Sequence, residues 1–131
     1  MKSIMQSKDG RCFICQMNED YSMKPDIEEH HVIYGTAQRA LSERWGLKVY
    51  LCAHHHRIGQ DAAHNNPQIS KMLKDKAQRA FEREWPDLDF RSIFGKNYKL
   101  QEYDIKETQR SEGHDGFIEL NQGGDAYENG C

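Results

Sequence analysis

Between Cys12 and His64 the chain carries three of its four cysteines and six of its seven histidines. They fall in two clusters. Cys12-Phe13-Ile14-Cys15 is followed by His30-His31, and Cys52-Ala53-His54-His55-His56 is followed by His64. A tetrahedral zinc ion takes only four ligands. The surplus predicts two metal sites, one that holds the fold and one that does chemistry.

Cys-x-x-Cys sets two thiolates at the reach of one tetrahedral ion, and Cys52-x-x-His55 repeats that spacing, so Cys12, Cys15, Cys52 and His55 are the expected structural zinc ligands. The 36 residues between Cys15 and Cys52 make this a long-loop site rather than a compact finger. A redox pair at Cys12/Cys15 is the rival reading, but it needs a βαβ context that the pattern lacks. His30, His31, His54, His56 and His64 remain. Neighbours on a strand face opposite sides, so His30 and His31 do not serve one ion together: one can bind a metal while the other faces a substrate. His56 directly follows a zinc ligand and can turn toward the His30 strand. His64 lies eight residues further, and a bend at Gly59 and Gln60-Asp61 would bring it back. His54, out of step with His55, is expected to point elsewhere.

These residues need elements to position them. A short strand is expected around residues 27–33, ended by Gly35. A helix follows over 36–45, with Thr36 as N-cap and Gly46 as C-cap. Leu47-Lys48-Val49-Tyr50-Leu51 alternates as a half-buried strand does. Asn66-Pro67 then opens a helix with Ile69, Met72, Leu73, Ala77, Ala80, Phe81 and Trp85 on one face. Pro86 stops it, and Leu88, Phe90, Ile93 and Phe94 suit a last short helix ending at Gly95. Beyond Tyr98 the apolar pattern fades.

With 131 residues, 37% hydrophobic and 30% charged, one thin-cored domain is expected, and such a domain commonly adds a metal. No apolar run reaches membrane-span length and no secretory leader is evident, so a reducing, cytoplasmic setting is expected and the paired cysteines read as ligands. Residues 1–98 hold 15 Lys and Arg against 13 Asp and Glu; residues 99–131 hold three against eight. The body is mildly basic and the tail acidic, a balance that permits nucleic-acid binding without demanding it.

Taken together, His30-His31-Val32, Leu51-Cys52-x-x-His55-His56 and the upstream Cys-x-x-Cys resemble the HNH (His-Me finger, ββα-metal) nucleases. The longer string from Glu29 to Gly35, with Arg39, Leu41 to Glu43, Gly46 to Cys52, His64 and Phe94 to Tyr98, is similar to small HNH-like proteins of bacteriophages and prophages. The resemblance covers residues 11–98. It implies an α+β fold: a zinc-stapled ββα-metal core with a C-terminal amphipathic helix, preceded by a flexible lead-in (1–10) and followed by a disordered acidic tail (99–131).

The resemblance also implies roles. His31 would be the general base, and His30, His56 and His64 would hold one catalytic divalent ion (Mg²⁺, Mn²⁺, Ni²⁺ or Zn²⁺). Related members place a third histidine where this chain has Gln60, which leaves His64 as the nearest candidate. The family's middle Asn falls at Leu47, and Asn66 is the candidate substitute. Asp26, Glu28 and Glu29 are placed to orient His30 or His31. Arg39 and Arg57 are expected phosphate contacts, Arg39 against the alternative of an ion pair with Glu43. The expected activity is metal-dependent hydrolysis of DNA phosphodiesters with weak sequence preference, in a bacterial host cell. The rivals are a non-catalytic zinc-stapled nucleic-acid-binding or recombination-accessory module, and a structural zinc protein acting through protein contacts.

Overall fold

A computed structural model describes residues 1–101; most of the acidic tail and Cys131 lie outside the described residues. Residues Met1–Lys99 form one unit. Its elements are α1 (Phe13–Met17), β1 (Ile27–His31), α2 (Gln38–Trp45), β2 (Lys48–Cys52), a π-helical turn (His54–Ile58), α3 (Pro67–Glu84) and α4 (Phe90–Phe94). This is a small α+β fold around a two-stranded antiparallel sheet. No helix among the described residues is long and apolar enough to cross a membrane.

The register pairs Ile27 with Cys52, Glu29 with Tyr50, His30 with Val49 and His31 with Lys48. Side chains alternate across the sheet, so Glu28 and His30 share one face while Glu29 and His31 share the other. Strand β1 stops at His31, two residues before the expected end. Just beyond it the backbone is held by Ser42, which is fully buried on α2. Its hydroxyl accepts from the Ile33 N–H (3.1 Å) and donates to the Ile33 carbonyl (2.6 Å), groups that point away from β2, while the Val32 N–H still donates to the Leu47 carbonyl (3.0 Å). Helix α2 begins at Gln38 behind Ala37 (φ 73°), without a side-chain cap, so Thr36 is not the N-cap. The other ends follow the sequence. Asn66 caps α3 by accepting from the Gln68 and Ile69 N–H groups, Asp89 caps α4, and Gly46 and Gly95 close α2 and α4 in the left-handed conformation.

Strand β2 departs from the half-buried expectation, since all five of its residues are buried. The chain's first residues explain this. The Ser3 hydroxyl donates to the Lys48 carbonyl, the Ile4 N–H donates to the Gly46 carbonyl (2.9 Å), and the Tyr50 N–H donates to Gln6 Oε1 (2.7 Å). Residues 1–10 are therefore not a loose lead-in. Their first six seal the outer edge of β2, whose backbone groups would otherwise lack partners.

The apolar core lies between the sheet and the apolar stripe of α3. Phe81 is its hub, with ring centroids 5.4 Å from Trp45, 5.1 Å from Trp85 and 5.4 Å from Phe90, while Phe90 and Phe94 stack at 4.4 Å. Such aromatic pairs contribute about 0.5–1.5 kcal/mol each beyond their burial.

Gly46 joins these parts and generates a prediction. It sits at φ +71°, and a Cβ there would lie 2.5 Å from the Lys2 carbonyl and 3.2 Å from Ile4. Gly46→Ala should destabilise the domain by roughly 1–3 kcal/mol in chemical denaturation. Deleting residues 1–6 should relieve the part of that cost due to the clash. Equal costs in both backgrounds would show that the edge segment does not press on Gly46.

Candidate metal centres

The sulfurs of Cys12, Cys15 and Cys52 and the imidazole of His55 converge on one point, all four residues being buried. Each reaches it for a local reason. Cys12 is the N-cap of α1, its sulfur accepting from the Cys15 N–H, so that one helical turn aims both sulfurs inward. Cys52 ends β2, and the π-helical turn carries His55 back over it.

The distances are diagnostic. His55 Nδ1 lies 3.6 Å from Cys12 Sγ, 3.4 Å from Cys15 Sγ and 3.4 Å from Cys52 Sγ, and the Cys15 and Cys52 sulfurs are 3.9 Å apart. A tetrahedron with Zn–S of ~2.3 Å and Zn–N of ~2.0–2.1 Å has S···N edges of about 3.6 Å and S···S edges of about 3.8 Å. A hydrogen bond from a single nitrogen points at one acceptor. Three near-equal sulfur distances match the spacing that ligands of one shared ion would need. This buried Cys3His cluster can hold a structural metal such as zinc.

Electrostatics point the same way. Burial drives the Cys52 thiol up to about 11, with the neighbouring Cys12 adding to the rise. Burial also opposes ionisation of Cys12, yet the His55 imidazole and the Cys52 and Cys15 backbone amides outweigh it and bring that thiol below its ordinary range. Burial should likewise disfavour a charged His55, but Asp61 and Cys12 raise it to about 9. The pocket favours positive charge at its centre, and a cation there would favour the ionised forms of Cys12 and Cys52. Asp61 completes the arrangement. Its Oδ2 accepts from His55 Nε2 (3.3 Å), leaving Nδ1 for the metal, and its Oδ1 accepts from His54 Nε2 (2.8 Å). Asp61 carries a role beyond the bend expected of it. A carboxylate behind a ligand imidazole orients the ring and raises its basicity. Gly59 makes room for this pair, since a Cβ would lie 2.5 Å from His54 Cε1 and 2.9 Å from Asp61 Oδ1.

A second cluster lies one residue away along the chain. His30, His56 and His64 bring one ring nitrogen each within 4.8 Å of the others, with ring centroids 4.8–5.1 Å apart. After the π-helical turn, the Ala63 and His64 N–H groups donate back to the His55 and His56 carbonyls, the expected bend that returns His64. His56 Nδ1 donates to Glu28 Oε1 (2.7 Å), which frees Nε2 to face the cluster. Arg57 grips the same carboxylate through Nε (3.1 Å) and a terminal nitrogen (2.9 Å). Arg57, expected as a phosphate contact, thus pairs with Glu28 while its side chain stays 56% exposed. His30 Nε2 is fully buried and has no hydrogen-bond partner among the described residues. An orphaned buried nitrogen normally costs about 1–3 kcal/mol, and a ligand-bound nitrogen does not. Burial lowers the His30 imidazole to about 3, helped by His56, His64, His31 and Lys74. Burial, then His56, lowers His64 as well. Neutral imidazoles are the form that binds metal.

His31 is not in this cluster. It faces the other side of β1, where its Nε2 donates to Glu43 Oε1 (2.8 Å). Lys48, itself 6% exposed, ion-pairs with Glu29 (3.0 Å) and Glu43 (3.1 Å) beside it. Glu29, His31 and Glu43 also have metal-compatible spacing, but the Lys48 ammonium already bridges the two carboxylates, and the N-terminal ammonium pairs with Glu43 as well. Glu43 therefore pairs with His31 and Lys48, and Arg39 is exposed with no ion-pair partner among the described residues. Asn66, the candidate for the missing middle Asn, uses its side-chain oxygen to cap α3. The side chain that orients His31 is Glu43, which sequence spacing linked only to Arg39. Asp26 Oδ2 accepts from the Ala53 N–H (3.2 Å), which ties the loop before β1 to the start of the turn bearing His55.

Two predictions follow from the Cys3His geometry. Structural zinc contributes roughly 10–16 kcal/mol in small zinc domains, which rivals the ~5–15 kcal/mol net stability of a whole domain. Cys12→Ser or chelation should therefore abolish cooperative unfolding in circular dichroism. Asp61→Ala should keep the fold but weaken metal affinity about 10–100-fold in competition with a chromogenic chelator; unchanged affinity would remove Asp61 from the site. Comparison with protein-family models, with curated proteins and with solved structures returned no match to this chain.

Proposed function

We propose that the chain is a metal-dependent endonuclease of the HNH type that hydrolyses DNA phosphodiester bonds. The observation that carries this reading is the second cluster. Three imidazoles, one with a buried and unpartnered nitrogen, sit on a β-hairpin and the turn after it, next to a separate Cys3His cluster. A fold-holding ion has no use for a second, histidine-only set with a partly open face, on which His64 is exposed.

In this reading His30, His56 and His64 hold one divalent cation, which when bound polarises a phosphoryl oxygen and stabilises the departing oxygen. Glu28 fixes the His56 ring through Nδ1, and Arg57 fixes Glu28. His31 serves as the base. Glu43 accepts from its Nε2–H, so Nδ1 is the bare nitrogen that takes a proton from water, and an imidazole can do so near neutral pH. Glu43 thereby fills the steadying role that the family gives to its middle Asn. Arg39, exposed on α2, contacts the DNA backbone. Backbone contacts without base readout give weak sequence preference and steep salt dependence.

One observation favours a second reading, a non-catalytic zinc-stapled nucleic-acid-binding or recombination-accessory module. His31 lies on the face of β1 opposite the imidazole cluster, with Nε2 already bonded. Plasmid nicking with Mg²⁺, Mn²⁺ or Ni²⁺ separates the two. His30→Ala should remove the second ion and all cleavage while keeping the tightly bound one. His31→Ala should keep both ions and lower kcat by about 10²–10⁴-fold. DNA binding without cleavage under every metal would reject the nuclease and leave the binding module.

A further inference from the structure

Among the described residues, Lys74 stands beside the imidazole cluster without an acidic partner. Lys74 lies on α3, its Nζ 4.7 Å from the ring centroid of Tyr34 and 5.6 Å from that of Tyr98. Among the described residues it makes no ion pair, whereas Lys24, Lys48 and Lys99 each hold a carboxylate. Tyr34 in turn packs against the cluster, with ring centroids 5.2 Å from His64 and 5.8 Å from His30. The ammonium, the phenol and the imidazoles thus form a continuous layer.

The layer is held in place from several sides. The Tyr34 hydroxyl bonds the Ser70 hydroxyl (3.2 Å), one helical turn before Lys74 on the same face of α3. The Tyr98 N–H donates to the side-chain oxygen of buried Gln78 (2.6 Å), and Gln78 Nε2 donates to Asn97 (2.9 Å), which pins the segment after α4 against α3. Lys96 adds a second ammonium, 5.3 Å from the Tyr98 ring. Aromatic faces attract an ammonium through its charge and leave free the N–H donors that do not point at the rings. Those donors stay available for an oxyanion, and an ammonium is a strong point-charge partner for phosphate.

We infer that Lys74, steered by Tyr34 and Tyr98, contacts a phosphate oxygen of the phosphodiester that the imidazole-bound cation engages. This rests on the nuclease reading for its substrate but not for its test. Lys74 would neutralise charge on the non-bridging oxygens as it builds up, in a setting where fixed charges act strongly. Tyr34 is a positioning residue that sets the height of the ammonium above the site.

The probe is dimethyl phosphate added to the protein loaded with Mn²⁺, read by paramagnetic broadening of its ³¹P resonance and by titration. Wild type should broaden the resonance at saturable concentrations. Lys74→Met should weaken that binding about tenfold or more, Lys74→Arg should stay close to wild type, and all three should keep the same Mn²⁺ affinity and melting temperature. Tyr34→Leu should weaken it less than Lys74→Met. Equal phosphate affinity in wild type and Lys74→Met, or no saturable broadening in wild type, would overturn the inference. Plasmid nicking keeps the two ideas apart. Lys74-dependent phosphate binding without cleavage leaves the anchor standing and removes the nuclease, whereas full cleavage by Lys74→Met with unchanged KM and kcat does the reverse.

Discussion

His55 carries the geometry on which the rest of the domain depends. Its Nδ1 meets three sulfurs drawn from α1 and the end of β2, and its Nε2 meets Asp61 beyond the π-helical turn. Segments with little apolar surface of their own are thereby tied at one buried point. Through the backbone the same residue also sets the second cluster. His56 is its immediate neighbour, and the Ala63 and His64 amides hang from the His55 and His56 carbonyls. A π-helical turn is costly and short, and it occurs most often where side-chain placement demands it. Here it lets consecutive histidines enter two different side-chain clusters.

The two-residue period of β1 sorts charge as strictly as the cysteine cluster sorts ligands. On one face, Glu28 orients His56 and His30 enters the imidazole cluster. On the other, Glu29, His31, Glu43 and Lys48 form a closed network around a buried ammonium. Exposed ion pairs contribute little, but a lysine buried to this degree must keep its partners. Its carboxylates hold the ammonium firmly charged against the opposing effect of burial. The network therefore fixes the orientation of His31 as much as it stabilises the hairpin.

The aromatic core does a different job, positioning the surface that faces the cluster. Trp45, Phe81, Trp85, Phe90 and Phe94 lock α2, α3 and α4 together, which turns the Ser70–Lys74 face of α3 toward Tyr34. Ser42 and the first six residues complete the frame, with hydrogen bonds replacing the ladder that a two-stranded sheet lacks at its edge and end.

The sequence by itself determined the donor set of the Cys3His cluster, because Cys-x-x-Cys and Cys-x-x-His state a reach that local geometry enforces. It determined α3, whose 3.6-residue apolar period, Asn66 cap and Pro67 are all short-range signals. It also separated His30 from His31, since alternation is a property of the strand alone. Only the tertiary structure decided the partners. Glu43 instead of Asn66 beside His31, Glu28 on Arg57, Asp61 behind His55, residues 1–6 along β2 and Lys74 over Tyr34 all join groups far apart in the chain or on unlike elements. Their pairing depends on how faces meet after packing. No period or spacing encodes that meeting, because charged side chains are long enough to reach any of several partners until burial leaves them one.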